Sequence, residues 1–142
     1  MVAARSELAD GLRVGSEAEL TGFGIRSHLA DGRVVAWTGS LPGRLAIDAE
    51  LDRPVPHALA ARFGSHDFWG RWTRLECVAK LTGTPVVRLL REPDLASPPV
   101  PGLTLTTLSL APDLVVSAGL LAAPRAGHVT LATELAYFGE VT

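Results

Sequence analysis

The stretch Phe63 to Leu81, FGSHDFWGRWTRLECVAKL, decides how this chain is read: it holds two of the three Trp, the only Cys and the only Lys. Within it, Thr73, Leu75, Cys77, Ala79 and Leu81 alternate with Trp72, Arg74, Glu76, Val78 and Lys80. A period of two is the signature of a strand with one buried face. On that reading Cys77 is a core thiol, Trp72, Arg74 and Glu76 share the other face, and His66 to Phe68 form the loop entering the strand.

The same alternation recurs on either side. Leu45, Ile47, Ala49 and Leu51 alternate with Arg44, Ala46, Asp48 and Glu50, and Val129, Leu131, Thr133, Leu135 and Tyr137 alternate with their neighbours near the C-terminus. Weaker strand candidates span Ala18 to Ser27, Arg33 to Gly39, Val86 to Arg91, Leu103 to Leu110 and Asp113 to Leu121, which brings the count to about eight. Asp31-Gly32 supplies hairpin-turn chemistry, and Thr82 to Pro85 and Ala111 to Asp113 are further short connections. Connections this short join antiparallel neighbours. The apolar phase slips between Leu105 and Leu108, as at a bulge in a coiled sheet. Helix is expected only as a turn at His57 to Phe63, while the first dozen residues are read either as frayed or as a short helix from Ser6 to Leu12. The expected fold is therefore all-β: an antiparallel, lipocalin-like up-and-down barrel of about eight strands, closed because closure removes exposed edges.

Composition narrows the class. A chain of 142 residues and 15.0 kDa, with 47% hydrophobic and 20% charged residues, fits one domain with one core. No apolar run reaches the roughly 20 residues that span a bilayer, and the N-terminus lacks the apolar core of a secretory signal, so a cytoplasmic location is expected. A net charge of -2 gives no electrostatic case for nucleic acid or an anionic membrane. One cysteine excludes an internal disulfide. His28, His57, His66 and His128 are too scattered to share a metal, and Thr21-Gly22-Phe23-Gly24 is no phosphate loop, so neither metal nor cofactor is expected.

What remains for chemistry clusters before the strand. His66 beside Asp67 offers an imidazole next to a carboxylate, and Arg71 offers a cation able to polarise a carbonyl, so these are the candidate catalytic residues. Phe68, Trp69 and Trp72, with Trp37 and Tyr137 on other strands, are the candidate contacts to an apolar ligand, each Trp N–H serving as a polar handle. The competing structural reading makes Asp67 a turn cap, the aromatics a hydrophobic plug and Trp72 a dimer contact.

At Asp67-Phe68-Trp69-Gly70-Arg71-Trp72, preceded by Ala60-Ala61-Arg62-Phe63-Gly64, the chain resembles a small actinobacterial β-rich domain family of unknown function, found alone or fused behind flavin monooxygenases. Gly32-Arg33 and Trp37-Thr38-Gly39 are similar to that family's G-R-x-x-W-x-G segment at a different spacing. The likeness covers about Glu19 to Pro85. In architecture the expected barrel also resembles single-domain cyclases of spirotetronate and polyether biosynthesis, without a shared motif.

Two readings follow. In the first, the chain is a cofactor-free cyclase or isomerase of polyketide-type secondary metabolism, holding an apolar substrate in a reactive conformer inside the lumen. In the second, it is a non-catalytic domain that binds a small apolar molecule or forms a homodimer.

Overall fold

The stretch that alternates in sequence is a helix. In a computed structural model, which describes residues 5–40, 43–92 and 94–122, the element order is α1 (Arg5–Gly11), β1 (Leu12–Ser16), α2 (Glu17–Leu20), β2 (Arg26–His28), β3 (Arg33–Trp37), β4 (Arg44–Leu51), α3 (His57–Phe63), α4 (Phe68–Thr82), α5 (Val86–Leu89), β5 (Leu103–Leu108) and β6 (Leu114–Leu121). The strands form two antiparallel three-stranded sheets, ordered β1-β3-β2 and β4-β6-β5. Among the described residues neither closes, and the expected eight-stranded lipocalin-like barrel is overturned in favour of a mixed α/β architecture.

The physical reasons are local. Ser16 caps α2, its Oγ accepting from Glu19 N–H at 3.1 Å while the Glu19 carboxylate accepts from Ser16 N–H at 2.9 Å, so Ala18 belongs to a helix and not a strand. Bonding to Ser16 also holds the Glu19 carboxyl below its ordinary value. Pro85 precedes the single turn of α5 where Val86 to Arg91 was expected extended. For α4 the physical signal is at its C-terminal end, where Gly83 takes the left-handed conformation just past Thr82, φ 66° and ψ 20°, and its N–H donates to the Ala79 carbonyl; Asp67 stands at the N-cap position without a side-chain capping bond.

Elsewhere the periodicity is realised. β4 forms over Arg44–Leu51, and β3, β5 and β6 fall inside their expected segments. The short helix α3 lies where a helical turn is expected, and α1 realises the helical one of the two alternatives for the N-terminal segment. The β2–β3 turn spans Leu29 to Gly32, with positive φ at Gly32 alone, so it is a four-residue loop and not a two-residue primed turn. The alternating segment Val129 to Tyr137 lies outside the described residues.

The sheet β4-β6-β5 is covered on both faces. Ile47, Ala49, Val116 and Ala118 pack with Val35, Trp37, Leu8 and Leu12 of the first sheet and α1. The opposite face carries α4. There Gly119 lets the helix approach: a Cβ at that position would stand 3.0 Å from Leu81 Cδ1 and 3.2 Å from Cys77 Cβ. Around the N-terminal half of α4, Phe63, Phe68, Trp69, Leu75 and Leu95 make a second core. No described helix is long and apolar enough to cross a membrane.

Candidate functional site

The α3–α4 corner is built around Arg71. Its guanidinium donates to the carbonyls of Phe63 at 2.9 Å, Gly64 at 2.8 Å, His66 at 2.9 Å and Asp94 at 2.8 Å. The fork thereby closes the C-terminal end of α3, fixes the loop into α4 and ties both to the segment before Leu95. His66 contributes its carbonyl to this knot, and its residue is exposed. Asp67 takes the left-handed conformation, φ 46° and ψ 39°, which costs free energy in a non-glycine residue. Gly70 makes room for its carboxylate, since a Cβ there would lie 2.3 Å from Asp67 Oδ1.

From Asp67 a polar seam runs inward. Arg74 donates to Asp67 Oδ2 at 3.0 Å and to Thr107 Oγ1 at 2.7 Å. Thr107 and Ser117 hydroxyls lie 2.9 Å apart, Ser117 and Thr73 hydroxyls 2.7 Å apart, and Thr73 bonds the Trp69 carbonyl at 2.8 Å. Each hydroxyl has one proton, and a carbonyl only accepts. Thr73 therefore donates to Trp69, Ser117 to Thr73, and Thr107 to Ser117, with Arg74 donating into the chain. Every hydroxyl of the seam is satisfied, and among the described residues no base stands against the Ser117 hydroxyl. The seam joins α4 to β5 and β6.

The candidate ligand contacts fall into two separate cores. Phe68 and Trp69 meet edge to face with centroids 4.8 Å apart, and Trp72 stacks on Phe68 at 5.9 Å. Trp69 is 7% exposed, donates its indole N–H to Arg53 O at 2.8 Å and carries the Arg53 guanidinium 4.2 Å above its ring. Trp72 is half-buried against the same cluster. Trp37 packs between the sheets. Tyr137 lies outside the described residues. The structure thus gathers His66, Phe68, Trp69, Arg71 and Trp72 at one corner and leaves Trp37 elsewhere.

A second polar group sits where α4 crosses β4. Asp48 is buried, with Oδ1 3.1 Å from Lys80 Nζ and no partner for Oδ2 among the described residues. Burial lifts its carboxyl to about 7 against the opposing pull of Lys80, while Glu76 and Glu50 push the same way as burial. Burial likewise raises Glu76, and it pushes the Cys77 thiol up to about 12, so Cys77 is an unreactive core thiol. The alternation of β4 sets Asp48 in phase with Arg44 and Glu50, yet it is buried; an Asp within a strand-period run is itself unusual and is the signal that could have marked it. Among the described residues no three His, Cys, Asp or Glu gather as metal ligands. An open groove of about 570 Å³ lies between α1 and the end of β5, lined by Arg5, Ser6, Ala9, Leu108 and Ser109, and contains none of the candidate residues.

The two outer strands of the sheet β4-β6-β5 differ. On β4, whose odd-numbered residues face outward, the Ile47 carbonyl accepts from Lys80 Nζ at 2.7 Å and Ala49 N–H donates to Ser27 Oγ at 3.0 Å, so two groups in mid-strand are taken by side chains. On β5, Ala122 N–H donates to Gly102 O at 3.0 Å, in register with the pairs Thr104↔Leu120 and Thr106↔Ala118. Even-numbered residues of β5 therefore bond to β6, and the odd-numbered ones face outward. Leu103 N–H is taken by Val100 O at 3.1 Å. The N–H and C=O of Leu105 and Thr107 have no partner among the described residues.

No family model, curated protein or solved structure matches the chain.

Proposed function

We propose that this chain is a non-catalytic binding domain that recruits protein through the outer edge of β5, in the cytoplasm. The observation that carries the reading is the row of amides and carbonyls at Leu105 and Thr107 that have no partner among the described residues, whereas side chains take two mid-strand groups of β4. An open edge of this kind takes an added strand, main-chain hydrogen bonds supplying the affinity. The cyclase reading relied on aromatics lining a closed lumen. Here Trp37, Phe68 and Trp69 are buried in packed cores, which supports binding over substrate folding. Amide hydrogen exchange tests the proposal. Leu105 and Thr107 amides should exchange freely in dilute protein and slow when a partner is bound; slow exchange of both in dilute monomer would sink it.

A further inference from the structure

We infer that the strand which completes this edge is β5 of a second copy, running antiparallel to the first about a two-fold axis at Leu105. The inference rests on the binding role assigned to this edge and names its partner.

The geometry is self-complementary. In an antiparallel pair, directly opposed residues with outward groups exchange both of their bonds. With Leu105 opposite its own copy, two N–H···O=C bonds form at the centre. Leu103 then stands opposite Thr107 of the second copy. The Thr107 amide donates to the free Leu103 carbonyl, once from each side, and the Leu103 amide is already held by Val100. The Val100–Leu103 turn thus limits the ladder to four bonds and sets its length. A register centred at Thr104 or Thr106 would oppose groups that already bond β6, because the even residues face inward.

The side chains agree. β5 reads Leu-Thr-Leu-Thr-Thr-Leu and carries no charge, proline or bulge, the features by which edge strands usually refuse a neighbour. No like charges meet when the strand pairs with itself. Thr104 comes opposite Thr106 of the second copy in the closer, non-hydrogen-bonded kind of pair, where hydroxyls and methyls pack favourably. Two copies joined this way make one continuous sheet of six strands, three from each, in an isologous contact closed by symmetry.

Sedimentation velocity of the full chain over a range of concentrations, combined with amide exchange, tests the pairing. The expected result is a monomer–dimer equilibrium in which protection at Leu105 and Thr107 rises with the dimer fraction. In Thr104→Lys/Thr106→Lys, lysine opposes lysine twice, and the dimer Kd should rise about tenfold or more. In Thr104→Glu/Thr106→Lys the same positions carry opposite charges across the two-fold, and the dimer should persist. That second variant controls for folding, since it changes the same two sites. A dimer indifferent to both variants would overturn the β5 pairing. A chain that stays monomeric with unprotected Leu105 and Thr107 would also overturn it while leaving the edge open to another partner. Monomer with both amides protected would mean that the chain's own residues fill the edge, and would overturn the inference and the binding role together.

Discussion

Arg71 and Asp48 show side chains with chemical potential used for structure. Arg71 makes four bonds to main-chain carbonyls from one planar fork, a geometry that a lysine ammonium cannot reproduce. Arg71→Lys should therefore cost about 1–3 kcal/mol, read as a lower urea midpoint with an unchanged slope. An unchanged midpoint would show that water serves those carbonyls equally well. Asp48 predicts a pH dependence with a definite sign. Its folded value of about 7 lies above the ordinary 3.8, so the folded state keeps a proton that the unfolded chain releases first. Stability from this group is full below about pH 4 and is lost as pH rises to about 7. Asp48→Asn should lose less stability than the native chain between pH 5 and pH 8, by on the order of 2 kcal/mol. Parallel losses in urea denaturation at the two pH values would exclude Asp48 as the source. Glu76, raised in the same direction, supplies a residual slope in both proteins.

Helix α4 explains why periodicity misled. Thr73, Cys77 and Leu81, four apart, line the face toward the sheet, while Leu75 belongs to the aromatic core on the other flank. Seen along the sequence, two helical faces interleave into an apparent period of two. A helix covered on two sides has no wide polar stripe to reveal a period of 3.6. Its legible marks were Asp67 and Gly83 at its ends, and Glu76 four residues before Lys80. Strands β3, β4, β5 and β6 were legible because each is bounded by turn chemistry and lies in a sheet. The corner at His66 to Trp72 was legible as a cluster, since it is contiguous in sequence. The seam Arg74–Thr107–Ser117–Thr73 was not, because it joins three elements and becomes visible only when α4 lies across β6. That crossing gives an element-scale prediction. Gly119→Val, placing methyls against Leu81, Cys77 and Leu105, should push α4 off the sheet and cost about 1–3 kcal/mol, seen as a lower Tm. A Tm within a degree of the native value would mean that the helix tolerates displacement.

At the scale of the whole molecule, the outer edges of the sheet β4-β6-β5 differ: side chains take two mid-strand groups of β4, while Leu105 and Thr107 of β5 have no main-chain partner among the described residues. Ser27 and Lys80 hold the β4 side from two different elements, one on β2 and one on α4. Removing both, in Ser27→Ala/Lys80→Met, should free the Ile47 carbonyl and the Ala49 amide. Sedimentation should then show species larger than the dimer; a variant that still stops at two copies would mean that something else blocks β4. The asymmetry bears on copy number. Addition through edges propagates only if each new unit presents a fresh edge at its far end. A pair joined through β5 presents β4 at both ends, where the Ile47 carbonyl and the Ala49 amide are already taken, so an added strand meets a ladder interrupted at two central positions. In the proposed pair, the only lysine in the chain is thus one of two side chains that oppose further strand addition at β4, the difference between stopping at two copies and growing into a filament.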